Sequence, residues 1–205
     1  MNGTDPRWIF DDVTAWVADL IDTLSDADWA RPTPCDRFDV ETLARHLVAV
    51  LDRTAVVFSG GDPTPLPRLA EGVATADLAR AFRDRIPVTR ATMTDTALTG
   101  TVVVPPGITV PGAVGVLRQS GEIAVHGWDL ATARGASGGE PEEAAVAILA
   151  VADQIVPAGP DFRDDPQIPF ERAVTPADDA AALERLANHY GRRSRPPVLT
   201  AGASS

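Results

Sequence analysis

The sequence predicts an all-α protein, an antiparallel four-helix bundle with extra short helices and one small β-hairpin. Three observations predict it. Four segments repeat apolar residues at helical spacing, the only convincing strand signal is the short β-branched stretch TVVVPPGITV, and the connecting stretches are rich in proline and glycine. A chain of 205 residues has the length of one domain with a sizeable core. We place that helical domain over residues 1–195 and a flexible C-terminal tail over 196–205.

The first helix follows Thr4-Asp5-Pro6, a capping pair with a proline early in the helix, where its missing N–H costs nothing. Ile9, Val13, Trp16, Val17, Leu20 and Leu24 then recur at helical spacing over about five turns. After the loop WARPTPCDRF, Asp39 is placed to cap a second helix. Its buried face is Leu43, Leu47, Val50, Leu51 and Val57, and it ends before Ser59-Gly60-Gly61. The proline-rich DPTPLPRLAEG leads over a bundle end to a third helix, which starts near Thr75 and runs into the 90s with Pro87 kinking it or opening its second half. The hairpin comes next. Pro111 opens the fourth helix and Gly135 closes it as a left-handed cap. A fifth helix, PEEAAVAILAVADQIV, carries its acids in the first turn, where they complement the helix dipole. The irregular DFRDDPQIPFER precedes a last helix that starts at Thr175-Pro176-Ala177-Asp178 and ends at Gly191.

Composition removes several classes of function. A net charge of −11 opposes general affinity for nucleic acid, which requires clustered cations. All 18 basic residues are arginine, so a Schiff-base lysine, a Walker-type phosphate loop and lysine general-base chemistry are excluded. There is no G-x-S-x-G elbow for a serine triad. No apolar run approaches the ~20 residues of a membrane span. The start MNGTDPRWIFDD lacks the order of a secretory signal, and the single Cys35 forms no intramolecular disulfide. The expectation is a cytoplasmic monomer or homodimer that touches neither membrane nor nucleic acid.

With ~100° of rotation per residue, Gln119, Glu122, His126 and Asp129 fall on one stripe of the fourth helix, beside the apolar strip of Val116, Ile123 and Leu130. Glu122 and His126 are four apart, so their side chains reach one point from adjacent turns. Taken alone, such a pair is most often solvated and worth a few tenths of a kcal/mol. His46 shares a face with Leu43, Val50 and Val57 on the second helix; a lone histidine there is most often a core residue bonded to a carbonyl. The second and fourth helices of a bundle can face one another, however. His46, Glu122 and His126 would then form a three-ligand site with an open fourth position, which suits a catalytic divalent metal, zinc first, with nickel, iron and manganese also admissible. Asp129 either orients an imidazole from behind or is a surface acid near its helix end. Cys35 reads as a small buried hydrophobe, with approach to the metal as the alternative. Trp8, Trp16, Trp29 and Trp128 read as packing residues, and His189 as a cationic cap on the last helix.

WARPTPCDRFDVETLARHL with the helix behind it, the later EIAVHGWDLATARG and the terminal LERLANHYGRR together resemble the mycothiol-dependent maleylpyruvate isomerase type of DinB-like metal-binding protein. The resemblance runs from the first helix to about Arg193. It implies a DinB-like four-helix bundle, a bound divalent metal on His46, Glu122 and His126, and mycothiol, a low-molecular-weight thiol, as cosubstrate. Where the family usually has a tryptophan after the Pro-Thr-Pro-Cys loop, this chain has Phe38. The maleylpyruvate isomerases proper carry a further C-terminal domain, so the resemblance is closer to single-domain relatives.

An open metal position that accepts a thiol holds it as the thiolate, and the sulfur becomes a nucleophile near neutral pH. The leading expectation is therefore a divalent-metal- and mycothiol-dependent transferase or isomerase acting on a small electrophile, with Glu122 and Asp129 as the candidate catalytic residues. Two alternatives stand beside it: a non-catalytic bundle that binds metal or a small ligand, and a thiol-independent, pathway-specific enzyme on the same scaffold.

Overall fold

In the computed structural model, residues 5–104, 107–136, 138–157, 163 and 171–193 are described. Four long helices form the bundle: α1 (Arg7–Asp22), α2 (Val40–Phe58), α3 (Leu78–Thr92) and, after the short α4 (Asp95–Thr99), the central α5 (Gly112–Arg134). Shorter α6 (Glu142–Leu149), α7 (Ala152–Ile155) and α8 (Ala182–His189) complete the helices among the described residues. Strands β1 (Thr101–Val104) and β2 (Ile108–Pro111) pair antiparallel with Val102 opposite Val110 and Val104 opposite Ile108, which is the expected hairpin. Pro105 and Pro106 of its turn lie outside the described residues, as does the tail over 196–205. Among the described residues, no helix is long and apolar enough to cross a membrane.

Most of the local signals act as expected. The Asp39 side chain accepts from the Thr42 N–H at 2.8 Å and starts α2, and Gly135 ends α5 in the left-handed region at φ 65°. At the head of α1 the Asp5 carboxylate accepts from the Arg7 N–H. α3 runs unbroken through Pro87, preceded by a 3-10 turn at Thr75–Asp77. The four tryptophans pack against the core, Trp16 within it.

Two expectations are corrected. PEEAAVAILAVADQIV is not one helix; it breaks at Ala150 and Val151, where the Val151 N–H turns back to the Ile148 carbonyl, and the chain restarts as α7 so that Ile155 and Val156 are buried. A sequence apolar on nearly every side can bury two faces only by changing direction. The last helix begins at Ala182 instead of Thr175. Its first N–H groups are capped from a distance by the Glu142 carboxylate of α6, 2.7 Å from the Ala182 nitrogen, and local periodicity cannot reveal such a partner.

α5 is the axis of the molecule, packing on α1, α2 and α8 and buried around most of its circumference. It meets α1 closely at Gly127, where a Cβ would lie 2.3 Å from the Trp16 ring and 2.6 Å from Val17. The side chain next to His126 must therefore be a hydrogen atom. Gly127→Ala is expected to lower stability by about 1–2 kcal/mol, the overpacking outweighing the gain in helix propensity. A urea midpoint equal to or above that of the wild type would show that α1 and α5 separate without penalty.

Candidate metal centre

The inner faces of α2 and α5 meet antiparallel. His46 lies opposite Glu122, and eight residues along α2 the Thr54 hydroxyl accepts from Gln119 Nε2 at 2.9 Å, so Gln119 serves as a tie between the two helices. That register brings His46, Glu122 and His126 together, with one potential ligand atom from each all within 4.8 Å of one another. The imidazoles stand edge to face, their centroids 5.0 Å apart. His126 is buried, His46 is nearly so, and the Glu122 side chain keeps 33% of its surface, so the cluster is reachable from one side.

Both rings are held from behind. His46 Nδ1 lies 3.0 Å from the Arg68 carbonyl oxygen, which can only accept, so Nδ1 carries the proton. His126 Nδ1 lies 3.0 Å from Asp129 Oδ2 and donates to it. In each neutral ring Nε2 is left as the nitrogen with the lone pair. His46 Nε2 sits 3.3 Å from Glu122 Oε1. A carboxylate oxygen and an imidazole lone pair at that separation repel unless a proton or a cation lies between them. The donor set, two imidazole nitrogens and a carboxylate with one side open, fits a divalent ion of the zinc type.

The electrostatics agree. Burial pushes the Glu122 carboxyl up, but the His46 hydrogen bond and the positive fields of His46, His126 and Arg118 outweigh it and bring the group down to about 2. Burial holds His126 below the ordinary imidazole range, with the His46 and Arg192 charges acting in the same direction against the Asp129 hydrogen bond. Both groups are thus in their ligating forms at neutral pH.

Asp129 is fully buried, which removes the surface-acid alternative. Arg192 grips it from the turn after α8, with Nε 2.9 Å from Oδ1 and Nη2 3.0 Å from Oδ2. Cys35 is buried, and its thiol is pushed up by that burial. It also lies within 4.8 Å of ligand atoms of His126 and Asp129, a second three-ligand grouping. That grouping already holds a cation, the guanidinium of Arg192, whereas the first holds no guanidinium, only the contact of His46 Nε2 with Glu122 Oε1. His189 does not cap its own helix with its ring; Nε2 donates to the Val156 carbonyl at 2.8 Å and ties α8 to the end of α7.

Four contributors were not read from the sequence. Phe38 stacks on His46 with centroids 5.1 Å apart and meets His126 edge-on at 6.1 Å, so the Phe/Trp position forms the apolar wall of the site. The Thr33 hydroxyl, donating to the Phe38 carbonyl, folds the loop that delivers it. The Arg68 carbonyl and Arg192 are the others. The arginine-rich composition hides Arg192, since nothing local separates it from the other arginines.

The fold and the site define a DinB-like helical bundle with a convergent two-histidine, one-glutamate cluster. The sequence profile of the mycothiol maleylpyruvate isomerase N-terminal domain matches residues 10–131, and the chain belongs to that family, an enzyme family. Uncharacterized proteins from two strains of Mycobacterium tuberculosis are each 32% identical over 160 residues, covering 74% of this chain and 81% of their own length. Among solved structures, the mycothiol-dependent maleylpyruvate isomerase superposes with a TM-score of 0.59 at 14% identity, over 72% of this chain and 67% of that one. A histidine-to-alanine mutant of it superposes equally well, at 13% identity.

One consequence concerns pH. Because the native His126 pKa lies below the ordinary value of about 6.5, the unfolded chain takes up a proton that the native chain refuses as pH falls through that window, and stability falls with it. Metal-free wild-type protein is expected to lose melting temperature between about pH 7 and pH 5, and His126→Gln to show a shallower slope. Equal slopes would mean that His126 titrates freely in the native state.

Proposed function

We propose that the chain is a divalent-metal-dependent enzyme that uses mycothiol as a thiol nucleophile on a small electrophile, as a transferase or an isomerase. The observation that carries this reading is the convergence of His46, Glu122 and His126 on one point with one side open. A divalent ion there supplies a cationic open position at which a thiol is held as thiolate near neutral pH. The chain's own residues set the conditions. One carboxylate and two neutral imidazoles under-neutralise a divalent charge, so the site favours an anionic sulfur. Arg118, whose field reaches Glu122, and Arg53, which Glu122 in turn stabilises, reinforce that preference. Phe38 keeps water from one face of the His46 ring. The sulfur then adds to the electrophilic carbon. In transfer a leaving group departs with the bonding pair; in isomerisation the double bond becomes single, rotates, and re-forms as the thiol is expelled. Family membership supports the thiol, and the two solved structures of a mycothiol-dependent maleylpyruvate isomerase share the fold.

Wild-type protein purified after zinc-replete expression is expected to hold about one equivalent of metal, and His46→Ala and Glu122→Ala less than about 0.2. Saturating mycothiol should raise the melting point of the loaded wild type by mass action. Incubation with mycothiol and a panel of cis-alkenoic acids and haloaromatics should then give metal-dependent isomer or thioether, followed by chromatography. A thermal shift with no product would favour the non-catalytic binding bundle. No shift at saturating thiol would favour a thiol-independent enzyme.

A further inference from the structure

Arg192 lies far from the three ligands in sequence, yet the chain is shaped to bring it to them. α8 ends in a Schellman turn. The Gly191 N–H donates to the Asn188 carbonyl and the Arg192 N–H to the Ala187 carbonyl at 2.9 Å, with Gly191 at φ 88°. A Cβ on Gly191 would also lie 2.6 Å from Glu171 Cβ, so only glycine fits there. Asn188 Nδ2 donates back to the Arg192 carbonyl and fixes the residue beyond the turn. The guanidinium then runs inward, 8% exposed, to fork onto both oxygens of the fully buried Asp129, whose Oδ2 accepts from His126 Nδ1.

We infer that Arg192 is a positioning residue of the metal centre, holding Asp129 as the acceptor that aims the His126 ring, so that metal affinity depends on the docking of the C-terminal helix. A buried carboxylate with no cation would be forced to pair with His126 alone or to rotate, and either would change the direction of the ring. The fork fixes both oxygens, leaving Oδ2 with one remaining direction to accept from Nδ1. Groups placed in this way behind metal ligands typically govern affinity by 10–100-fold. The inference rests on the metal reading given above, and its test separates the two.

The test uses the full chain and Co²⁺ alone as probe, with affinity measured by chelator competition and geometry by the visible absorption of the bound ion. Arg192→Gln is expected to bind Co²⁺ about 10–100-fold more weakly than wild type, with a changed spectrum. Wild type that binds no Co²⁺ would overturn the metal reading itself. Wild type that binds, alongside an Arg192→Gln variant of equal affinity and identical spectrum, would overturn the role of Arg192 alone. Should Arg192→Gln fail to fold, Arg192→Lys decides, because it keeps the charge and loses the fork. Weaker binding with an altered spectrum supports the inference, and wild-type affinity with an unaltered spectrum contradicts it.

Discussion

Electron-pair donors are not brought face to face in a protein interior without a reason, and the packing of α2 against α5 does this with His46, Glu122 and His126. The antiparallel register that forces the meeting is itself fixed by apolar side chains above and below it and by the bond between Gln119 and Thr54. Neither imidazole can turn away, because each is bonded through Nδ1 to an acceptor behind it. The fold thus spends part of its packing energy on an arrangement that only a positive charge relieves.

The surroundings extend that logic outward. Asp129 stands behind one ring and is balanced by Arg192, while the Arg68 carbonyl stands behind the other. Phe38 closes the apolar side. Of the two groupings of potential ligands among the described residues, the one that includes Cys35 is internally neutralised by a guanidinium, and the one that includes His46 is not. This difference in occupied charge, more than ligand identity, is the reason for proposing His46, Glu122 and His126 as the centre.

The long helices, the hairpin, the Asp39 cap and the Gly135 stop were legible in the sequence because each depends on neighbours within a few residues. The Glu122–His126 pair was legible for the same reason, its spacing being a property of one helix. Whether Asp129 faces water or the core was not, since that depends on a helix sixty residues further on. The start of α8 escaped for a similar reason, its cap being Glu142 from α6. In the sequence Phe38 is only the residue standing where the family usually has a tryptophan, and its contact with both imidazoles exists only once the loop has folded beside α2. Local signals are written in the sequence; partners supplied from elsewhere in the fold are not.

X-ray absorption spectroscopy at the zinc edge of the loaded full chain tests the central claim most directly. A first shell of nitrogen and oxygen scatterers near ~2.0–2.1 Å, with imidazole outer-shell features and no sulfur, is the predicted result. A sulfur scatterer near ~2.3 Å in the absence of added thiol would move the ion to Cys35 and contradict the account.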